Sequence, residues 1–325
     1  MRGLRNLAVD QQVALLFVTL FGVLLFMTAL AVFWNLRSHK AADDEATGAR
    51  VNKDLQTVWF GATLFWLAWI SGPIGATLLF ALVSFLALRE FITLQHTRRG
   101  DHRALLVAFF LVLPLQYGIV AGGHYDLFTV FIPVYVFFAL PVVSALAGDP
   151  QRFLERNAKI QWAIVVCVYG LSHTPALLLL SFPGHEGRGA FLVFFLVAVV
   201  GVAHLVHEFA SRRFRSRVVA PEISTTFSFR AWWIALLVAG LVGALLYWVT
   251  PFKAGQAFVL GAAAGAVGTL GEFVMEALKR DAGVKQWGNR SALTGAVGLL
   301  DRVAPLCFAA PVFFHGVRWY FKVGA

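Results

Sequence analysis

Ala190-Phe-Leu-Val-Phe-Phe-Leu-Val-Ala-Val-Val-Gly-Val-Ala-His-Leu-Val-His-Glu-Phe-Ala-Ser-Arg-Arg213 is the stretch on which the fold turns. It stays apolar for about 20 residues, the length a helix needs to cross a hydrocarbon core roughly 30 Å thick, and then meets paired arginines. A surface helix of a soluble domain carries a polar face, and a barrel strand alternates; this run does neither. It reads as a transmembrane α-helix, because in lipid the backbone must satisfy its own hydrogen bonds.

Working outward, comparable runs lie near Val13 to Trp34, Thr57 to Ile70, Ile74 to Leu88, Ala104 to Gly122, Tyr125 to Ala147, Ile160 to Leu180, Ala231 to Val249, Gln256 to Leu278 and Leu293 to Phe314. The expectation is an all-α polytopic integral membrane protein of about ten transmembrane helices arranged largely as hairpins. The 325 residues are 59% hydrophobic and 14% charged, with a mean hydropathy of +0.74, too apolar for an ordinary soluble domain. Residues 1–56 read as an N-terminal helix and a polar loop, and 57–325 as the main transmembrane domain. No small-residue cleavage site closes the run from Val13, so it reads as a retained helix rather than a signal peptide.

The connections are of two kinds, and they alternate. Ser71 to Pro73, Gly122 to His124, Ser181 to Gly189 and Thr250 to Gly255 are nearly free of Lys and Arg, whereas the others carry them in clusters: Arg37 to Lys53, Arg89 to Arg103, Arg152 to Lys159, Arg212 to Arg230 and Lys279 to Arg290. The positive-inside rule places every basic loop in the cytoplasm, which for a bacterial chain means the inner membrane. The net charge of +10 is therefore spread over five loops facing anionic headgroups, which excludes a nucleic-acid partner as its explanation. The two cysteines, Cys167 and Cys307, sit inside apolar runs as inert thiols.

An ionisable residue inside a span is expensive and is a functional candidate by default. The densest set is C-terminal: Glu272 and Glu276, then Lys279-Arg280-Asp281-Ala282-Gly283-Val284-Lys285-Gln286-Trp287-Gly288, then Gly295-Ala296-Val297-Gly298-Leu299-Leu300-Asp301-Arg302. Glu272 and Glu276 share a helix face with Lys279 and Arg280, and an i,i+4 pair between Glu276 and Arg280 is expected. His204, His207 and Glu208 lie on one side of a helix and have the chemistry of a transition-metal set, although the zinc-protease orders are absent. His173, with Ser172 and Pro175, reads as a kink at which side chains satisfy a freed carbonyl, and His315 reads as structural too.

The C-terminal segment resembles the signature of the phosphatidate cytidylyltransferase family, in which Gly-Asp and Ser precede Lys-Arg, Lys-Asp, Gly-His-Gly-Gly, Asp-Arg and a final Asp. Phe131-Ile132-Pro133-Val134-Tyr135 and Ala158-Lys159-Ile160-Gln161-Trp162 are similar to segments of bacterial members, so the resemblance runs from roughly Trp59 to Phe314. It implies transfer of CMP from CTP to the phosphate of phosphatidate, giving CDP-diacylglycerol and pyrophosphate with Mg2+. Catalytic roles would fall on Asp301 and Lys285, phosphate binding on Lys279, Arg280 and Arg302, and metal binding on Asp301 and on Glu272, which stands where the family has Asp; Glu276, four residues on along the same helix face, could rebuild a metal site with these two. The implied partners are a phosphatidate-like phospholipid and the membrane, with a second copy or another membrane enzyme as protein partner.

Departures from the pattern are as informative. The Lys-Asp pair reads Lys285-Gln286, the Gly-His-Gly-Gly reads Gly295-Ala296-Val297-Gly298, and the final Asp reads Ala304. The family's Ser-Pro-Asn-Lys-Thr stretch reads Ser224-Thr225-Thr226-Phe227-Ser228, so its lysine becomes Phe227, and an upstream aspartate falls at His204. Cationic groups survive better than metal-holding ones. Three readings follow: a transferase with an altered metal shell, a non-catalytic lipid-binding or regulatory member, and a transporter of anionic lipid.

Overall fold

The computed structural model describes residues 70–180, 189–214, 216–284 and 298–322, with scattered positions between 11 and 68. It forms two compact units, Met1–Ile70 and Ser71–Ala325. In the first, the described residues are helical; the Phe21 ring packs 5.6 Å from Trp59 and 6.1 Å from Trp66, and Trp59 Nε1 donates to the Thr28 hydroxyl at 3.0 Å.

Among the described residues of the second unit are eight helical segments and no strand: α1 Gly72–Thr93, α2 Arg99–Ala121, α3 Tyr125–Ala145, α4 Phe153–Leu179, α5 Gly189–Arg213, α6 Phe229–Leu245, α7 Ala254–Asp281 and α8 Leu299–Phe321. All except α6 are long and apolar enough to cross a membrane, and α6 is a shorter apolar helix of 17 residues. A tight turn joins α2 to α3, as in a hairpin, and α6 is joined to α7 through residues 246–253, which include a 3-10 turn. Basic clusters flank one end: the α2 and α4 N-termini meet through Arg156 and Asp101, while Arg103 Nη1 reaches the Leu146 carbonyl beyond α3 at 3.2 Å. At the other end Arg318 of α8 pairs with Asp126 of α3, and Gln256 Nε2 donates to the Tyr320 hydroxyl at 2.8 Å.

Several boundaries differ from those expected, each for a physical reason. α4 begins at Phe153 rather than Ile160, because its polar first turns are held by a buried clamp. Arg156 Nε donates to Asp101 Oδ1 at 2.7 Å and Nη1 to the Gln151 carbonyl at 2.7 Å, with Asp149 Oδ2 at 2.9 Å. The α6 helix ends at Leu245, after which a 3-10 turn at Tyr247–Val249 carries the chain to Thr250, extended as a residue before proline must be. α8 begins at Leu299, not Leu293. Gly298 takes the left-handed conformation, φ 75°, which no helix runs through, and residues 293–297 lie outside the described set.

Packing in this unit relies on small residues. Ala203 of α5, Ala235, Ala239 and Gly243 of α6, and Gly261 and Gly265 of α7 are buried or in close contact, which lets three helix backbones approach. A Cβ on Gly271 would overlap the Phe308 ring of α8, so that glycine sets the α7–α8 distance beside Glu272. Proline kinks are repaired by side chains. Pro141 leaves the Phe137 carbonyl without its helical donor, and Gln161 Nε2 supplies one at 2.8 Å. In α4, Ser172 Oγ and His173 Nδ1 both reach the Tyr169 carbonyl, at 2.8 and 2.7 Å. The carbonyl they serve lies in a π-helical turn, Val165–Gly170, rather than opposite Pro175 as the kink reading assumed.

Candidate functional site

The site grows from the ends of four elements: the last turns of α5 and α7, the first turn of α8, and the α5–α6 connection. Helical spacing puts Glu272, Glu276 and Lys279 on one face of α7. Each meets a different partner. Glu272 Oε2 lies 2.7 Å from His204 Nδ1, both groups 28% exposed, and Lys279 Nζ lies 2.8 Å from Asp301 Oδ1, at 17% and 20% exposed. Glu276, between them, faces the Ser224 hydroxyl. Within spans, such pairs lower the cost of each charge while leaving it open to exchange with a ligand.

A cavity of about 90 Å³ lies on this face, lined among others by His204, His207, Ser224, Phe227, Glu272 and Glu276. The α5–α6 connection forms its wall because Ser224 Oγ accepts from the Phe227 amide at 3.2 Å, and Ser228 caps α6 by accepting from the Ala231 amide at 3.3 Å. Phe227 is 3% exposed, stacked on Phe273 at 4.4 Å and tilted against His207 at 5.3 Å. Where the resemblance puts a lysine, this chain has a buried aromatic pair. His207 is also buried, and its Nε2 has no hydrogen-bond partner among the described residues.

The residues singled out from sequence therefore separate. Glu272 and Glu276 line the cavity; the Lys279–Asp301 pair lies about a turn further along α7, outside that lining, and Arg302 follows Asp301 at the start of α8. Arg280 does not pair with Glu276: its Nε donates to the Ile223 carbonyl at 3.3 Å, anchoring the cavity wall. His204, His207 and Glu208 do not form a set, because His204 is taken by Glu272 and Glu208 by Arg212. Among the described residues no group of three His, Cys, Asp or Glu could hold a metal ion by itself. Lys285 lies outside the described residues, and Ala304, where the pattern has its final Asp, is 2% exposed in α8.

One residue escaped the sequence reading. Glu90, near the end of α1, is 1% exposed, and its Oε2 accepts from the Leu299 amide at 2.9 Å, the first residue of α8. Its signal was present, since Phe91 and Ile92 continue the apolar run beyond the Leu88 boundary and so place an acid inside it.

Fold and site together define an integral membrane protein of helical spans with an ionisable centre at the end of the bundle that carries the basic loops. That class is narrowed by comparison with known proteins. The chain belongs to the cytidylyltransferase family, whose model matches residues 52–320. It is also 36% identical over 310 residues to the uncharacterized protein YnbB of Escherichia coli (strain K12), covering 93% of this chain and 97% of that one.

Proposed function

We propose that this chain acts in phospholipid metabolism as a cytidylyltransferase with a rebuilt polar centre, joining CTP and a phosphatidate-like lipid to give CDP-diacylglycerol and pyrophosphate. The observation that carries the reading is the series of ionisable groups His204–Glu272, Glu276 and Lys279–Asp301 along α7, where the resemblance would put the family's site. Each is expensive in a span, and a site with no further use for charge would be served better by apolar side chains.

In this reaction a phosphate oxygen of the lipid attacks the α-phosphorus of CTP, a new P–O–P bond forms, and the bond to the bridging oxygen breaks as pyrophosphate leaves. Lys279, Arg280, Arg302 and Lys285 neutralise the phosphates. Release of Asp301 from Lys279 frees a cation for the nucleotide and a carboxylate for its counter-ion. Mg2+ would fit these residues only as a substrate-borne ion, which Glu276 and Asp301 would help the CTP phosphates to hold, because Glu272 Oε2 is already engaged by His204 Nδ1 at 2.7 Å. When bound, the ion offsets charge building on the leaving pyrophosphate. The basic end faces the cytoplasm of a bacterial inner membrane, where CTP enters.

A second reading is favoured by Phe227. Its burial against Phe273 and His207 fills the lysine position with a ring, so lipid binding without turnover would suit this cavity. Purified protein in liposomes with CTP, phosphatidate and Mg2+ separates the two. Pyrophosphate released in step with CDP-diacylglycerol supports the transferase; phosphatidate binding with no pyrophosphate leaves the second reading standing.

A further inference from the structure

We propose that Glu90 is a positioning residue: it fixes the start of α8 and with it the place of Asp301 beside Lys279. Three observations meet here. First, Glu90 is 1% exposed within an apolar helix, where a carboxylate is costly unless it is held and used. Second, Oε2 accepts from the Leu299 amide at 2.9 Å, one of the amides that a helix start leaves without an internal partner, and the N-terminal dipole favours an anion there. Gly298, left-handed, makes Leu299 the first helical residue, so this bond sets where α8 begins.

Third, Asp301 stands two residues further along, in the same first turn of α8, so whatever fixes that turn also fixes Asp301. There Asp301 Oδ1 accepts from Lys279 Nζ at 2.8 Å, so the tie between α1 and α8 holds one partner of that ion pair in place. Glu90 Oε1, meanwhile, has no hydrogen-bond partner among the described residues. A neutral local cap would serve an amide at lower cost. What Glu90 supplies instead is a tie across helices: it reaches from the end of α1 to the first amide of α8.

The kinetic side of this inference rests on the proposed transferase reading; the geometric side does not. The full chain in detergent is compared with Glu90→Ala and Glu90→Gln by hydrogen exchange, thermal unfolding and pyrophosphate release. In Glu90→Ala, exchange at residues 299–301 rises roughly tenfold while residues 305–320 and the melting temperature hold. In Glu90→Ala kcat also falls roughly tenfold with KM for CTP unchanged, the sign of a lost transition-state arrangement, whereas Glu90→Gln, whose amide oxygen still accepts, keeps both protection and kcat. Unchanged exchange at 299–301 in Glu90→Ala overturns the proposal, as does loss of protection throughout α1 and α8, which marks a packing role alone. Wild-type kcat in Glu90→Ala also overturns it. If the wild type releases no pyrophosphate the transferase reading fails, and exchange alone then decides the position of α8.

Discussion

Arg156 and Lys279 are both cations held by aspartates at the end of the bundle that carries the basic loops, yet their surroundings differ. Arg156 is 6% exposed and Asp101 3%, and the guanidinium also bonds the Gln151 carbonyl and Asp149. Lys279 and Asp301 are 17% and 20% exposed. The first cluster is closed, so opening it strands charge away from water. The second is less deeply buried, so a phosphate arriving at Lys279 would replace Asp301 at lower cost than an anion would at Arg156. Burial of the partners, rather than the number of charges, separates the clamp from the site.

The largest expected effect breaks the clamp. Arg156→Ala leaves Asp101 buried and unpaired and should destabilise the protein by about 3–5 kcal/mol, read as a fall in thermal unfolding temperature in detergent. Lys279→Ala should do the reverse, with pyrophosphate release falling by roughly 100-fold while unfolding shifts by less than about 1 kcal/mol. Equal stability losses in these two variants would erase the distinction. His204→Asp sharpens it from another side. That change sets a carboxylate against Glu272, so the melting temperature should drop in chelator and recover in millimolar Mg2+, a recovery the wild type lacks. Smallest is Gln161→Ala, which uncovers the Phe137 carbonyl and should cost about 0.5–1.5 kcal/mol with no change in turnover.

The spans were legible in the sequence because length and uniform apolarity are local properties: Ala190 to Ala210 needs no partner to be recognised, and α5 lies where the run lies. Boundaries failed where tertiary contacts overrode them, as at α4, whose polar turns 153–159 are helical only because Arg156 reaches Asp101, and at α8, whose start depends on Glu90. The site was legible as an inventory and not as an arrangement. Spacing put Glu272, Glu276 and Lys279 on one face, but it could not say that Arg280 turns to Ile223 or that His204 answers Glu272 across 68 positions. Glu90 and Leu299 are 209 apart, and nothing in a linear pattern joins them.

The brevity of α6 has a consequence for the lipid itself. Seventeen residues at 1.5 Å per residue span about 25 Å, less than a hydrocarbon core of roughly 30 Å. Trp232 and Trp233 near its start and Tyr247 and Trp248 beyond its end are interfacial side chains that resist sinking into the acyl region. A bilayer that matched this helix would be locally thinner, at a cost of fractions of a kcal/mol per ångström of mismatch. Because α6 follows directly on Ser224 to Ser228, such thinning would fall beside the cavity wall, on the side of Ser224 and Glu276. A lipid phosphate would then meet the ionisable groups without leaving its leaflet.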